Sequence, residues 1–431
     1  MKIDFNNRIQ PIKAMHGVGQ PPFLSAGNDD YFHYLTDAHI PYSRLHDVEC
    51  YGMRFVDIPN IFKDFDADEN DPASYDFVFT DWLISSLMKA GCQPIYRLGV
   101  SIENQAAMKA YNIYPPKDFE KWARICEHII RHYNEGWADG YSYDIKYWEI
   151  WNEPEDGDGS QMWLGTDVQY FELYTVASKH LKKCFGNSIK VGGYSSCGFY
   201  AAIGEAAPAW AMVGPRFKYY IEYFEKFLTY IKKHDAPLDF FSWHSYAQVN
   251  GNYAMALYLD EALRKYGYGD VETQLNEWNT SPKPELRGTS FASASAAAVM
   301  LSQQNTNTKI LCYYDGRIGM TPYAGLYNPL TRKPCCTYYA FKAFGELYSL
   351  GTQAECSYTE NIYAIAATDG EKSAVMMTNL EDDVKIETNL DANSFVIYVI
   401  DQDNYLTETE INPVRFTLKK NQVVLITNYR L

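Results

Sequence analysis

Tyr147-Trp148-Glu149-Ile150-Trp151-Asn152-Glu153-Pro154 is the segment on which the reading of this chain turns. An aromatic and apolar run of strand character leads into Asn-Glu. Pro154, which has no backbone N–H to give to a ladder, stops it there. Glu153 therefore stands at the carboxyl end of a strand. A second run, Thr273-Gln274-Leu275-Asn276-Glu277-Trp278-Asn279, ends in Asn-Glu in the same way. Around these two, short β-rich runs end near Met15-His16, Arg44-Leu45-His46, Ile95-Tyr96-Arg97-Leu98, Val191-Gly192-Gly193, Phe241-Ser242-Trp243-His244 and Leu311-Cys312-Tyr313-Tyr314, which makes eight strands in all.

Helical patterns lie between them: Phe77 to Lys89, Phe119 to Tyr133, Val168 to Cys184, Tyr219 to Lys233, Met255 to Tyr266 and Phe291 to Gln304. In the second, Phe119, Trp122, Ala123, Cys126, Ile129, Ile130 and Tyr133 recur at helical spacing and mark a buried stripe. Gly91, Gly136, Gly186 and Gly267 follow helices where a left-handed cap is wanted. Eight strands alternating with helices over about 300 residues predict a (β/α)8 barrel in the α/β class. An open doubly wound sheet competes, but its glycine fingerprint is missing: Gly17-Val18-Gly19 lacks the third glycine and reads as a loop turn.

Beyond Gly351 the pattern changes to short β-rich runs (361–367, 373–379, 384–390, 394–401 and 423–428) separated by Asp-rich turns. This predicts an antiparallel β-sandwich. The expected domains are a barrel over residues 10–345 and a sandwich over 346–431, to which residues 1–9 add a strand.

The chain has 431 residues, 47% of them hydrophobic and 21% charged, enough for a full core and against extended disorder. A net charge of −16 argues against nucleic acid, whose phosphates it would repel. No apolar run approaches the roughly 20 residues that span a bilayer. The first residues show no apolar export segment, so a cytoplasmic location is expected unless such a segment has been removed. The nine scattered cysteines read as reduced structural thiols, with adjacent Cys335 and Cys336 a less favoured redox pair. Tyrosines number 37, tryptophans 9, and these side chains pair a flat apolar face with a polar handle, as sugars require. A large aromatic core is the plainer account of most of them.

Glu153 and Glu277 stand 124 residues apart, three βα units of about 41 residues each. Strands four and seven face one another across a barrel mouth, so the two carboxylates can converge on one substrate. Facing carboxylates are the apparatus of glycosidic-bond hydrolysis. Each alone could be a strand followed by a polar loop, the less favoured reading; together they are far more specific.

The segments Glu149-Ile150-Trp151-Asn152-Glu153-Pro154 with the following Trp163, Asn276-Glu277-Trp278-Asn279, and Arg44-Leu45-His46-Asp47 resemble glycoside hydrolase family 39, the β-xylosidase and α-L-iduronidase family within a clan of retaining barrel glycosidases. Barrel followed by sandwich also matches, so the likeness spans nearly the whole chain. The resemblance implies Glu153 as acid/base and Glu277 as nucleophile, with Asn152 bonding the sugar 2-hydroxyl unless it only caps a loop. His244 and Tyr246 resemble the pair bordering the nucleophile; a buried histidine and a core tyrosine are the alternative. Arg44 and His46 would bind sugar hydroxyls or hold Glu277 ionised, with an interior Arg44–Glu149 ion pair as a rival. His16, Tyr314 and Asp315 are rim candidates. Trp151, Trp163, Trp278 and Tyr323 are candidate stacking platforms, ordinary packing being the other reading of each.

The expectation is a retaining, exo-acting glycoside hydrolase that cleaves β-xylosides or similar short oligosaccharides without cofactor or metal. Its partner is the glycoside substrate; no nucleic acid or membrane is expected, and a homo-oligomer stays open. Alternatives are the same machinery on an arabinoside, β-glucoside, β-galactoside or uronide, or a barrel that binds carbohydrate without cleaving it. The acidic stretch Asp156-Gly157-Asp158-Gly159-Ser160 imitates a calcium loop, but Gln161 stands where a glycine is required and Asp167 where a glutamate is.

Overall fold

The computed structural model describes the whole chain apart from residues 29, 51, 102–112, 157–161, 213, 281–282, 320–322, 324 and 359–360. Most of the calcium-like stretch therefore lies outside the described residues. Strand β1 (Lys2–Pro11) is followed by eight strands: β2 (Ala14–Gly19), β3 (Tyr42–Leu45), β4 (Gln93–Leu98), β5 (Tyr147–Ile150), β6 (Lys190–Ser196), β7 (Phe240–Ser245), β8 (Glu272–Trp278) and β9 (Thr308–Tyr314). All eight are parallel to their neighbours, and β9 pairs with β2 to close the barrel.

Each barrel strand leads to a helix. The first is the short His33–Asp37; the others are Val78–Lys89, Phe119–Glu135, Asp167–Phe185, Arg216–Lys233, Val249–Tyr266, Ser290–Gln303 and Cys336–Leu350. Local chemistry sets their ends. Asp118 caps Phe119–Glu135 by accepting the Lys121 N–H at 2.9 Å, and Gly136 closes the helix at φ 75°. Thr166 and Gln169 form a capping box ahead of Asp167–Phe185. The stripe Trp122, Ala123, Cys126, Ile129, Ile130 and Tyr133 is buried against the barrel.

Gly17 and Gly19 lie inside β2 rather than in a loop turn. A Cβ on Gly17 would stand 2.6 Å from the Leu311 carbonyl oxygen, so glycine there serves close strand packing.

A seven-stranded sheet forms from β1 and the C-terminal strands β10 (Thr352–Ser357), β11 (Tyr363–Thr368), β12 (Ser373–Thr378), β14 (Val396–Ile400), β15 (Tyr405–Thr409) and β17 (Val423–Thr427). Strands β13 (Val384–Glu387) and β16 (Arg415–Leu418) pair as the second layer. Alternation makes the sheet two-faced: Ala374, Met376, Leu425 and Ile400 join the core shared with the barrel helices, whereas Val375, Met377, Val424 and Val399 pack with Ile386 and Leu418. Helix Cys336–Leu350 lies between barrel and sheet. Among the described residues, no helix is long and apolar enough to cross a membrane, and all nine cysteines are free.

Candidate active site

The carboxyl end of β5 bends sharply. The strand ends at Ile150, after which Trp151 (φ 71°) and Glu153 (φ 44°) adopt left-handed backbone. Such conformations cost a non-glycine residue on the order of 1–3 kcal/mol and persist only where surroundings hold them. Here the Trp151 N–H donates to Leu98 O at 2.8 Å, and the Glu153 N–H to the carbonyls of Tyr194 and Ser195 at 3.1 and 3.2 Å.

Glu277 reaches the mouth by another device. Leu275 pairs with Trp243, but Glu277 pairs with His244, so β8 carries a bulge at Asn276. Both Asn276 and Glu277 consequently point toward the barrel axis: Asn276 Nδ2 donates to Glu149 Oε1, and Glu277 Oε2 accepts from Arg44 at 3.1 Å. One carboxylate oxygen of Glu153, one of Glu277 and a ring nitrogen of His244 all lie within 4.8 Å of one another.

Arg44, fully buried at the end of β3, organises the floor. Its guanidinium donates to Glu149 Oε2 at 2.9 Å, Glu277 at 3.1 Å, Asn152 Oδ1 at 2.6 Å and Ser195 Oγ at 2.8 Å. The two readings of Arg44 are thus both realised, as an interior ion pair with Glu149 and as a cation held against Glu277. Burial opposes the Glu149 charge, yet Arg44 prevails and holds that carboxyl below its ordinary pKa.

The other two carboxyls are tuned upward. Burial, joined by the charge of Asp47, pushes Glu153 up to about 7, against the pull of Arg44 and Arg216. Burial also raises Glu277, but Arg44, at 3.1 Å, and a hydrogen bond from Tyr246 Oη to Oε1 at 2.7 Å favour its ionised form. Glu277 thus accepts directly from Arg44 and Tyr246, contacts that suit a carboxylate, whereas the neighbour of Glu153 is His244. Burial lowers His244 to about 4, so it is neutral near pH 7; its Nδ1 lies 2.6 Å from Glu153 Oε1.

Asn152 is held through its oxygen, while its Nδ2 is buried without a protein partner. His46 Nδ1 accepts from Arg97 Nε at 3.2 Å, and its Nε2 lies 3.4 Å from Asp47 Oδ1. Tyr314 Oη donates to Asp47 Oδ2 at 3.0 Å and accepts from Gln20 at 2.9 Å. Tyr323 is half-buried, its ring 5.4 Å from that of Tyr246 and 5.1 Å from that of Tyr314.

Five expected substrate contacts fall elsewhere. His16 points outward from β2, its Nε2 2.8 Å from His39 O and its ring against Phe344 and Tyr348 of Cys336–Leu350. Asp315 is buried and held by Arg317, with Nη2 at 2.6 Å, and so serves an ion pair. Trp278 is fully buried edge-on to Tyr313. Trp163 is wedged against Trp151 and Tyr170, its indole N–H donating to Thr166 O. Trp151 is buried in the same cluster.

Some site residues escaped the sequence reading. Arg97, an inward charge in an apolar strand, was the one visible signal; its partner Asp57, 2.5 Å away, gave none. Ser195 and Asn276 likewise join the floor only through folding. Glu155, two residues beyond Glu153, is pushed up to about 8 by burial and accepts the Cys197 N–H at 2.7 Å. Neutral near pH 7, it adds no charge beside Glu153.

The family model for glycosyl hydrolases family 39 matches residues 1–283. A β-xylosidase of Caldicellulosiruptor saccharolyticus is 27% identical over 233 residues, 49% of this chain and 42% of that protein. A β-xylosidase of Geobacillus stearothermophilus is 24% identical over 208 residues, 46% of this chain and 36% of that protein. The matched region thus spans less than half the length of these curated relatives. Among solved structures, a glucosidase from Croceicoccus marinus superposes with a TM-score of 0.77 at 20% identity, covering 99% of this chain and 98% of that one. A family 39 β-xylosidase from Caulobacter crescentus gives 0.69 at 17%, with coverage of 99% and 98%. Both share the fold.

Proposed function

Because the chain belongs to glycosyl hydrolases family 39, we propose that it is a glycosidase that removes β-linked xylose from the ends of short glycosides with net retention. Glu277 attacks the anomeric carbon while Glu153 protonates the departing oxygen. The covalent bond consumes the charge of Glu277, the pKa of Glu153 falls, and Glu153 then takes a proton from the incoming water. Asn152, oriented by Arg44, offers its Nδ2 to the sugar 2-hydroxyl, a contact that strengthens in the transition state.

The observation that carries this reading is the approach of the two carboxylates to within 4.8 Å. That bound is on the nearer oxygen of each group; so close an approach favours the carboxyl spacing of retaining enzymes, about 5–5.5 Å, over the roughly 6.5–9.5 Å by which inverting enzymes seat a water. The names of the two curated relatives support xylose as the sugar. A panel of aryl α- and β-glycosides, with the first-formed anomer read by NMR, tests the proposal. The expected result is fastest cleavage of the β-xyloside, with β-xylose appearing first and xylo-oligosaccharides shortened one residue at a time. First-formed α-xylose, or a folded protein inert on the whole panel, would end it.

A further inference from the structure

Among the described residues, two groups of three His, Cys, Asp or Glu side chains bring ligand atoms within 4.8 Å of one another. One is the site above. The other, Glu127, His180 and Cys184, takes no part in it. His180 and Cys184 are four residues apart on Asp167–Phe185 and share a face; Glu127 comes from the neighbouring helix Phe119–Glu135. Helices run antiparallel to the strands they cover, so His180 and Cys184, near the end of theirs, lie toward the barrel end opposite Glu153 and Glu277.

We propose that these three side chains bind a zinc-class divalent cation, clamping the two helices together. His180 Nε2 lies 2.6 Å from Glu127 Oε2 and 3.7 Å from Cys184 Sγ. Tetrahedral zinc, with Zn–S about 2.3 Å and Zn–N or Zn–O about 2.0–2.2 Å, sets neighbouring ligands roughly 3.3–3.6 Å apart. The sulfur–nitrogen spacing already suits an ion. The nitrogen–oxygen spacing opens by under an ångström when the ion replaces the proton now shared there.

Surrounding groups prepare the carboxylate. Arg131 Nε holds the other oxygen, Oε1, at 2.8 Å, and its guanidinium stands 5.1 Å over the Phe185 ring, so Oε2 is the oxygen left facing His180. His180 is 27% and Glu127 14% exposed, which admits an ion while limiting competing water. Thiolate, imidazole and a single carboxylate oxygen select zinc, cobalt or cadmium over magnesium or calcium. On binding, Cys184 releases its thiol proton, the His180 proton resides on Nδ1, and a solvent molecule takes the fourth position.

Cobalt(II) titration of the reduced, full-length protein is the test. One equivalent should produce a thiolate-to-cobalt charge-transfer band in the near ultraviolet, and zinc should bleach it. Cys184→Ser should abolish the band, and Glu127→Gln should weaken cobalt binding at least about tenfold. Glu277→Gln should leave the band intact, and Cys184→Ser should hydrolyse aryl glycosides at the parent rate. A band that survives Cys184→Ser, a band lost in Glu277→Gln, or none at millimolar cobalt overturns the assignment. None of these outcomes depends on which sugar the enzyme takes.

Discussion

Tyr246→Phe isolates what keeps Glu277 ionised. The phenol donates to Glu277 Oε1 at 2.7 Å, and its own pKa lies well above the ordinary value because it is buried, so it stays a donor across the working pH range. A hydrogen bond to a charged acceptor contributes about 1.5–3 kcal/mol. At 1.36 kcal/mol per unit, its loss should raise the Glu277 pKa by about 1–2 units. The direction follows because the bond favours the carboxylate over the acid; without it, protonation becomes easier. The acid limb of kcat/KM against pH reports that ionisation in the free enzyme, and the alkaline limb reports Glu153, at about 7. The variant's bell should therefore narrow from the acid side, its optimum moving up and its height falling as the limbs approach each other. The assay is kcat/KM for an aryl β-xyloside across the pH range, with circular dichroism as a check on folding. An acid limb unmoved within about 0.3 units, with activity reduced equally at every pH, would refute the electrostatic role and leave Tyr246 as packing.

Three further perturbations address the remaining parts. Glu277→Gly should abolish turnover of an activated aryl glycoside, and azide should restore it with the inverted glycosyl azide as product; a retained azide would move the nucleophile elsewhere. Glu153→Gln should keep measurable activity on good leaving groups while losing the alkaline limb, and a persisting limb near pH 7 would remove Glu153 from the acid role. Asn152→Ala should slow a xyloside by about 100-fold, the equivalent of roughly 2.7 kcal/mol, and a matched 2-deoxy substrate far less. Equal losses on both would mean that Asn152 does not meet the 2-hydroxyl.

The barrel was readable because each of its strands is a short, largely buried run followed by a helix. Phe119–Glu135 shows the favourable case: one face meets the barrel and the other water, so the apolar stripe is plain in the sequence. Helix Cys336–Leu350 shows the opposite case. It is sandwiched between barrel and sheet, with Cys336, Tyr338, Ala340, Phe341, Ala343, Phe344, Leu347 and Leu350 all buried, so apolar residues wrap most of its surface and the helical period is blurred. The same position explains His16, whose ring fills a gap against that unforeseen helix. Strands β15 and β16 were missed for the converse reason: as an edge strand and one of an isolated pair, they leave every side chain but that of Leu418 at least partly exposed.

At the mouth, composition and strand ends located the chemistry without saying which way each side chain would turn. Simple alternation along β8 would send Asn276 and Glu277 to opposite faces. The bulge brings both inward, and it is a relation between two strands 30 or so residues apart, with no local signature in either. Trp278, next along, then turns outward into the core, so a tryptophan beside the nucleophile packs against Tyr313 rather than under a sugar. On β5 the left-handed backbone at Trp151 and Glu153 likewise breaks the alternation, burying the indole and freeing the carboxyl. Arg44 accounts for why these departures are tolerated: one cation answers Glu149, Glu277 and the Asn152 oxygen together, and removing one partner from such a buried set costs about 3–5 kcal/mol. The strained geometry and the buried charges are therefore mutually dependent. Regular strand geometry in β8 would carry Glu277 away from Arg44, and loss of Arg44 would leave Glu149 and Glu277 inside the barrel without the cation that now bonds both.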